Sequence, residues 1–170
     1  MSVQIQIVTW NSRPHLERLF LGIEKQSGVD FNIVVIDNAS TDGTVEWLKR
    51  YCHSGTSEAS DRIHSNNQGD PIGRFAASRM TIIQNQTNRG FAVAHNQGFA
   101  VCAAPYVLVL NPDTELQAGY LAEVLRVIEA DKRVAAVQGK LYSQLSEGEK
   151  YGIIDSCGVE MRKWSRVVDI

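Results

Sequence analysis

A chain of 170 residues, 44% hydrophobic and 21% charged, suits one compact domain of ordinary soluble composition. Its formal net charge of −2 excludes the electrostatic footprint of a nucleic-acid binder or an anionic-membrane binder. A single nucleotide stays within reach, because a metal ion can supply the positive charge. The three cysteines, Cys52, Cys102 and Cys157, are widely spaced and form no metal-ligand cluster, which predicts reduced thiols. No apolar run approaches the ~18 residues that span a bilayer, and the N-terminus runs into a strand pattern without a basic leader. These features predict a cytoplasmic protein, with peripheral association at the inner face of the plasma membrane left open.

Apolar runs alternate with stretches of 3.6-residue period, the signature of βαβ units and a mainly parallel sheet. The first strand is predicted over residues 3–9. Ser12 follows as an N-cap, with Pro14 tolerated in the first helical turn. Leu16, Leu19, Phe20 and Ile23 fall at i, i+3, i+4 and i+7, one buried helix stripe. The second strand, residues 31–36, is dense in β-branched side chains, as suits burial on both faces. A short helix over 45–51 comes next. Residues 52–79 turn polar and rich in Gly, Ser and Asn, and read as a surface insertion.

A third strand over 80–83 leads to Asn88-Arg89-Gly90 and a helix over 91–103. The fourth strand, 106–110, closes in Asn111-Pro112-Asp113-Thr114. Leu121, Val124, Leu125 and Ile128 mark an amphipathic helix starting near Gln117, and a fifth strand is predicted over 134–138. The tail from residue 143 has room for edge strands and no core-forming helix.

Three polar clusters each follow directly on an apolar strand: Thr9-Trp10-Asn11, residues 37–42, and residues 111–113. In an open parallel sheet, ligands bind beyond the carboxyl ends of the strands, so spacing alone gathers these clusters on one edge. Asp37 reads equally as the cap of an Asx-turn or as acceptor for the imide N–H of a uracil or thymine ring, or for a ribose hydroxyl. Asp42 and Gly43 read as structural, Asp42 accepting backbone N–H groups at the helix start and Gly43 relaxing the backbone. Asp113 is projected from a strand end by a tight Asn-Pro turn. That suits a carboxylate holding a hard cation against a diphosphate, although a turn before the next helix would look the same.

Asn88-Arg89-Gly90 stands at a helix N-terminus, where free N–H groups and the helix dipole favour anions, and Arg89 adds a phosphate contact or is simply solvated. Asn96 is expected to face the sheet edge, and its neighbour His95 to be packed rather than catalytic. His15, His53 and His64 show no partner spacing. Trp10 suits either stacking on a base or partial burial.

In this order the clusters resemble the family 2 glycosyltransferases of the GT-A fold. The matching segments are Ile7-Val8-Thr9-Trp10-Asn11, residues 35–44, Asn88-Arg89-Gly90-Phe91-Ala92 with Asn96 and Gly98, and residues 110–114. The resemblance implies an α/β nucleotide-sugar-binding core over residues 1–142, carrying the 52–79 insertion, and an incomplete acceptor-side region over 143–170. It implies a nucleotide-sugar site of Thr9, Trp10, Asn11, Asp37, Asn38, Asn88, Gly90, Asn96, Asn111 and Asp113. Asp37 would contact the base, and Asp113 would be the metal ligand for a divalent cation (Mg2+ or Mn2+). Asn111 stands where many members have the first Asp of a DxD-type motif and brings no charge to the metal. The Leu-Asn-Pro-Asp-Thr form looks most like the rhamnosyltransferase branch, which implies dTDP-rhamnose, or else a UDP-sugar, as donor.

Members of the family place their catalytic base well beyond the DxD strand, and no matching segment follows Asp113. Asp155, Glu160 and Asp169 do not sit in that motif, so the chain reads as truncated, with the base expected past Ile170. The resemblance implies sugar transfer, with inversion, to a glycan or glycolipid hydroxyl, as in polysaccharide biosynthesis. The rival reading is a non-catalytic nucleotide-binding or assembly module. A nucleotidyltransferase or a dinucleotide-binding domain needs a glycine-rich loop after the first strand, and Thr9-Trp10-Asn11-Ser12-Arg13 is not one.

Overall fold

The computed structural model describes residues 2–54, 79–143, 153–157, 159–162 and 166–169. The chain divides into two compact units, Met1–Tyr120 and Leu121–Ile170. The 52–79 insertion lies outside the described residues except at its ends, where residues 52–54 finish a helix and Arg79 precedes a strand.

The first unit is built on a parallel sheet of four strands: β1 (Ser2–Thr9), β2 (Asp30–Asp37), β3 (Met80–Gln84) and β4 (Tyr106–Leu110), in the order β3-β2-β1-β4. Val3 to Thr9 are buried without a break, and so is β2 from Ile33 to Asp37, as strands covered on both faces must be. The chain winds from β1 through helix α1 (Leu16–Glu24) to β2, and through α2 (Thr44–Ser54) towards β3. It then returns through α3 (Phe91–Ala100) to β4 on the other side of β1. Right-handed crossovers put α1 and α2 on one face and α3 on the other. The winding therefore reverses between β1 and β4, and their carboxyl ends flank the topological switch point, where such sheets bind ligands.

The two faces are held differently. Leu16, Leu19, Phe20 and Ile23 form the expected buried stripe of α1. The Phe20 ring lies 5.3 Å from Trp47 and 4.5 Å from Tyr51 of α2, and Arg13 sits over Trp47. Each such side chain contributes about 1.5–3 kcal/mol of burial. On the opposite face Ala94 of α3 packs with Val8, Val34 and Ile36, but β1 also presents Gln4 and Gln6 there. Their burial is matched by hydrogen bonds. The Gln4 amide donates to Gly98 O at 3.0 Å, and the Gln6 amide donates to His95 O and to His95 Nδ1 at 2.8 Å. Gly98 permits this approach, since a Cβ there would fall 2.4 Å from Gln6 Cδ.

The second unit carries α4 (Tyr120–Ala130) and two antiparallel pairs, β5 (Leu141–Tyr142) with β6 (Ile154–Ser156) and β7 (Val159–Arg162) with β8 (Arg166–Asp169). The expected edge strands of the tail are therefore present. The fifth strand expected over 134–138 is not: these residues are irregular. The segment Val-Ala-Ala-Val-Gln is short and alanine-rich, and it leaves a turn in which Val134 N–H donates to Asp131 O. Helix α4 begins at Tyr120 rather than near Gln117, after Gly119 with φ 78°. Helix α3 ends at Ala100, short of the expected residue 103. Ser12 makes no side-chain cap; its hydroxyl closes on Trp10, while Pro14 occupies the first turn of Arg13–His15 as expected. No helix among the described residues is long and apolar enough to cross a membrane.

Candidate functional site

The β1–β2 register sets Thr9 beside Asp37, and both are buried. The Thr9 hydroxyl donates to Asp37 Oδ1 at 2.9 Å, and Ser40 donates its N–H to Asp37 Oδ2 and its hydroxyl to Oδ1. Asp37, 1% exposed, thus braces its own loop through the N–H three residues on, with its oxygens engaged by the protein.

The loops after β1 and β2 are laced together. Asn11 N–H donates to Ser40 Oγ, and Asn11 Oδ1 accepts from Thr41 N–H at 2.9 Å. Ser12 N–H reaches Thr44 Oγ1, and Arg13 N–H reaches Asp42 Oδ2. Asp42 accepts from Thr44 as well, at both N–H and hydroxyl, and Gly43 adopts φ 89°, the structural roles expected of this pair. Burial raises the Asp42 pKa, but the hydrogen bonds from Thr44 and Arg13 outweigh it and hold the carboxyl below its ordinary value. Two non-glycine residues sit at positive φ here, Asn11 at 50° and Ala39 at 62°. Asn tolerates this region; alanine at a left-handed position costs about 1–3 kcal/mol and persists because the Asp37 contacts over-determine it.

Asn38, 2% exposed, joins this layer to the next. Its N–H donates to Thr9 O, its Nδ2 to Gly90 O at 3.2 Å, and its Oδ1 accepts from Asn85 Nδ2 and Arg89 N–H. Gly90 has φ 80° and is the N-cap of α3, with its own N–H taken by Asn88 Oδ1. The first-turn N–H groups of α3 lack partners within the helix and, with the helix dipole, favour an anion.

At the switch point β4 pairs with β1 so that Leu110 lies beside Ile7, and the chain leaves β4 two residues short of the end of β1. Thr114 N–H donates to Asn111 O, closing the expected turn with Pro112 at its second position. Asn111 and Asp113 are exposed, and among the described residues nothing hydrogen-bonds the Asp113 carboxylate.

The residues singled out in the sequence therefore fall into two sets. Trp10, 58% exposed, stands in solvent with Asn11, Asn88, Gly90, Asn96, Asn111 and Asp113, while Thr9, Asp37 and Asn38 form a buried frame beneath. Asn96 makes no contact with the sheet end; Gln97, one residue on, does so by pairing with Asn85. Arg89 is solvated, and His95 is packed, as expected, against Phe91 and Gln6. Asn85 and Gln97 were not singled out by sequence reasoning. Two amides 12 residues apart carry no periodic signal, although Asn85 does follow a strand directly, as the recognised clusters do.

No three His, Cys, Asp or Glu side chains gather among the described residues. One unpaired carboxylate on a tight turn, with the Asn111 carbonyl oxygen two residues away, is nonetheless a donor set that suits Mg2+ or Mn2+ when phosphate oxygens and waters complete the shell.

A winding reversal, with laced loops and a helix N-terminus at the strand ends, defines a doubly wound α/β domain, here of the GT-A fold. The chain belongs to glycosyl transferase family 2, whose model matches residues 5–166. Among solved structures it is similar to S. aureus TarS 1–349 in complex with UDP, at 17% identity and TM-score 0.57, over 85% of this chain and 40% of that one. A second structure of TarS 1–349 gives TM-score 0.58 at the same identity and coverage. Mannosyltransferase PcManGT from Pyrobaculum calidifontis, in complex with GDP-Man and Mn2+, aligns at 22% identity and TM-score 0.54, over 74% of this chain and 32% of that one. At these identities the likeness is one of fold. The chain spans about two fifths of the length of TarS 1–349. No curated protein matches the chain.

Proposed function

We propose that the chain is the donor-binding part of an inverting glycosyltransferase that moves a sugar from a nucleoside diphosphate to a hydroxyl of a glycan or glycolipid. The observation that carries this reading is the division of the strand-end residues into a buried frame and an exposed rim at the switch point. Thr9, Asp37 and Asn38 hold the loops from below, while Trp10, Asn11, Asn88, Gly90, Asn111 and Asp113 face the donor from above. Trp10 offers an aromatic face to the base. Asp37 shapes the loop beneath the base, and the α3 N-terminus favours an anionic group of the donor. The UDP of the TarS complex and the GDP-Man and Mn2+ of the mannosyltransferase support a nucleotide-sugar donor and a divalent cation.

Asp113, with Asn111, would hold that cation, which offsets charge on the departing diphosphate as a Lewis acid. Transfer is a single in-line displacement, in which a base removes the acceptor proton as the diphosphate leaves. The Leu110-Asn111-Pro112-Asp113-Thr114 segment favours dTDP-rhamnose as donor, with a UDP-sugar as the alternative. We place the protein at the cytoplasmic side.

Calorimetric titration with dTDP, UDP and GDP, each with and without Mn2+, tests the reading. Metal-dependent binding of one pyrimidine diphosphate, lost in Asp113→Ala, is the expected result. No binding of any of the three to the chain, or to a longer chain carrying it, overturns the reading in favour of a non-catalytic assembly module.

A further inference from the structure

The Asp113 carboxylate accepts no hydrogen bond among the described residues, so its place is set by what holds the chain on either side of the turn. Before the turn, Leu110 is buried at the end of β4, beside Ile7 of β1. After it, Glu115, Leu116 and Gln117 run along α1, and each meets the helix through a different contact.

Leu116 is buried with its backbone against Gly22, where a Cβ would fall 2.7 Å from Leu116 N and 3.1 Å from Leu116 O. Alanine suits a helix interior better than glycine, so propensity argues against Gly22 and the close approach of Leu116 accounts for it. Gln117 is held by Gln26, just past the end of α1. Gln26 N–H turns to Ile23 O at 3.0 Å, and its side chain takes up the Gly22 carbonyl instead. The buried Gln26 amide donates to Gly22 O at 2.9 Å and to Gln117 O at 2.8 Å, which ties the helix end to the segment after the turn. Glu115 lies 3.4 Å from Lys25 and 3.9 Å from Arg18, but these side chains are exposed and such pairs contribute little. The buried contacts decide the position.

We propose that Gly22 and Gln26 are positioning residues for the divalent cation: by fastening Leu116 and Gln117 on α1 they set where the Asp113 carboxylate stands, while touching neither cation nor donor. This rests on the donor-site reading above. A hard cation held through one protein carboxylate depends on where that carboxylate lies relative to the phosphate oxygens that complete the shell. The loop after β1 is braced separately, Asn11 by Ser40 and Thr41 and Ser12 by Thr44, so the base-side residues stay in place when the anchor is lost. The anchor therefore governs the response to metal and not the affinity without it. A merely structural role would weaken both alike.

The test compares wild type, Gln26→Met, Gly22→Ala and Lys25→Ala in the full chain. Affinity is measured for dTDP or UDP, whichever wild type binds, with and without Mn2+, together with amide hydrogen exchange of residues 113–120 in the absence of ligand. Gln26→Met keeps the length of the side chain and removes both donations, and Gly22→Ala pushes the Leu116 backbone off the helix. In both, the strengthening by Mn2+ should fall about tenfold, the size expected when a group behind a metal ligand is lost. Metal-free affinity should stay unchanged and exchange should accelerate. Lys25→Ala, which removes an exposed pair alone, should keep the Mn2+ response. Should Gly22→Ala fail to fold, Gln26→Met reports by itself. Faster exchange with an intact Mn2+ response in Gln26→Met would overturn the positioning role, and so would a loss as large in Lys25→Ala. A wild type whose nucleotide binding ignores Mn2+ overturns the cation reading instead, and the exchange comparison then decides the anchor independently of it.

Discussion

Thr9 and Asp37 are register partners across β1 and β2, and the hydroxyl of the first donates to the carboxylate of the second at 2.9 Å. A carboxylate buried at a strand end is costly unless its lone pairs are used, and here Ser40 uses two more through its N–H and hydroxyl. The result is a loop whose shape is fixed before any ligand arrives.

Substitution of Asp37 follows from that arrangement. Asp37→Ala strands the Ser40 N–H and leaves Ala39 at positive φ without its restraint, so a loss of about 2–4 kcal/mol is expected. Asp37→Asn is milder, about 1 kcal/mol, because its Nδ2 can donate to the two hydroxyls while its oxygen keeps the Ser40 N–H. Denaturant midpoints of the two variants should rank in that order, and an equal loss would contradict the assigned partners.

His95 predicts a dependence on pH. Both Gln6 amide hydrogens are committed, one to His95 O and one to Nδ1, so Nδ1 must accept and the ring is neutral with its proton on Nε2. Burial lowers its pKa in agreement, and Nε2 is itself buried without a partner. A histidine with a lowered folded pKa binds fewer protons folded than unfolded. Its stabilisation is therefore complete above the unfolded value of about 6.5 and falls as pH drops below it, by at most about 1.4 kcal/mol per unit. In His95→Asn the side-chain oxygen stands near the Nδ1 position and does not titrate. Chemical denaturation at pH 7.5 and pH 5.5 should show a steeper loss for wild type than for this variant.

Gly98 marks where α3 meets β1 most closely. In Gly98→Ala the new Cβ falls 2.4 Å from Gln6 Cδ, so the helix must lift or Gln6 must abandon His95. Overpacking of this kind costs about 1–3 kcal/mol. Thermal melting should fall accordingly, and a variant as stable as wild type would show that Gln6 has room to move.

Much of the sheet was legible because its strands are apolar runs that end abruptly in polar residues, as 31–36 ends in Asp37 and 106–110 in Asn111. The loop positions were legible for the same reason. What the pattern concealed is which loop residues turn inward. Asp37 and Asn38 read as ligand contacts from their place in a motif, yet Asn38 spends its side chain on Gly90, Asn85 and Arg89. Gln4 and Gln6 passed as ordinary strand residues, since their burial depends on a helix that arrives about 90 residues later. The expected strand at 134–138 failed because a short alanine-rich run specifies no partner, and strand formation is decided by pairing.

Asp113 gives the sharpest separation of stability from function. It is exposed on the Asn111–Thr114 turn, and among the described residues its side chain holds nothing in place. Surface substitutions of this kind change stability by less than about 0.5 kcal/mol. Asp113→Asn keeps the shape and removes the charge that a hard cation requires. Its melting temperature should match wild type with no metal present, while Mn2+ should no longer strengthen nucleoside diphosphate binding. The Asn111→Asp variant should act in the opposite sense, raising affinity in the presence of Mn2+, because a second carboxylate then stands two residues from the first. A metal response that survives in Asp113→Asn would move the cation to another acid.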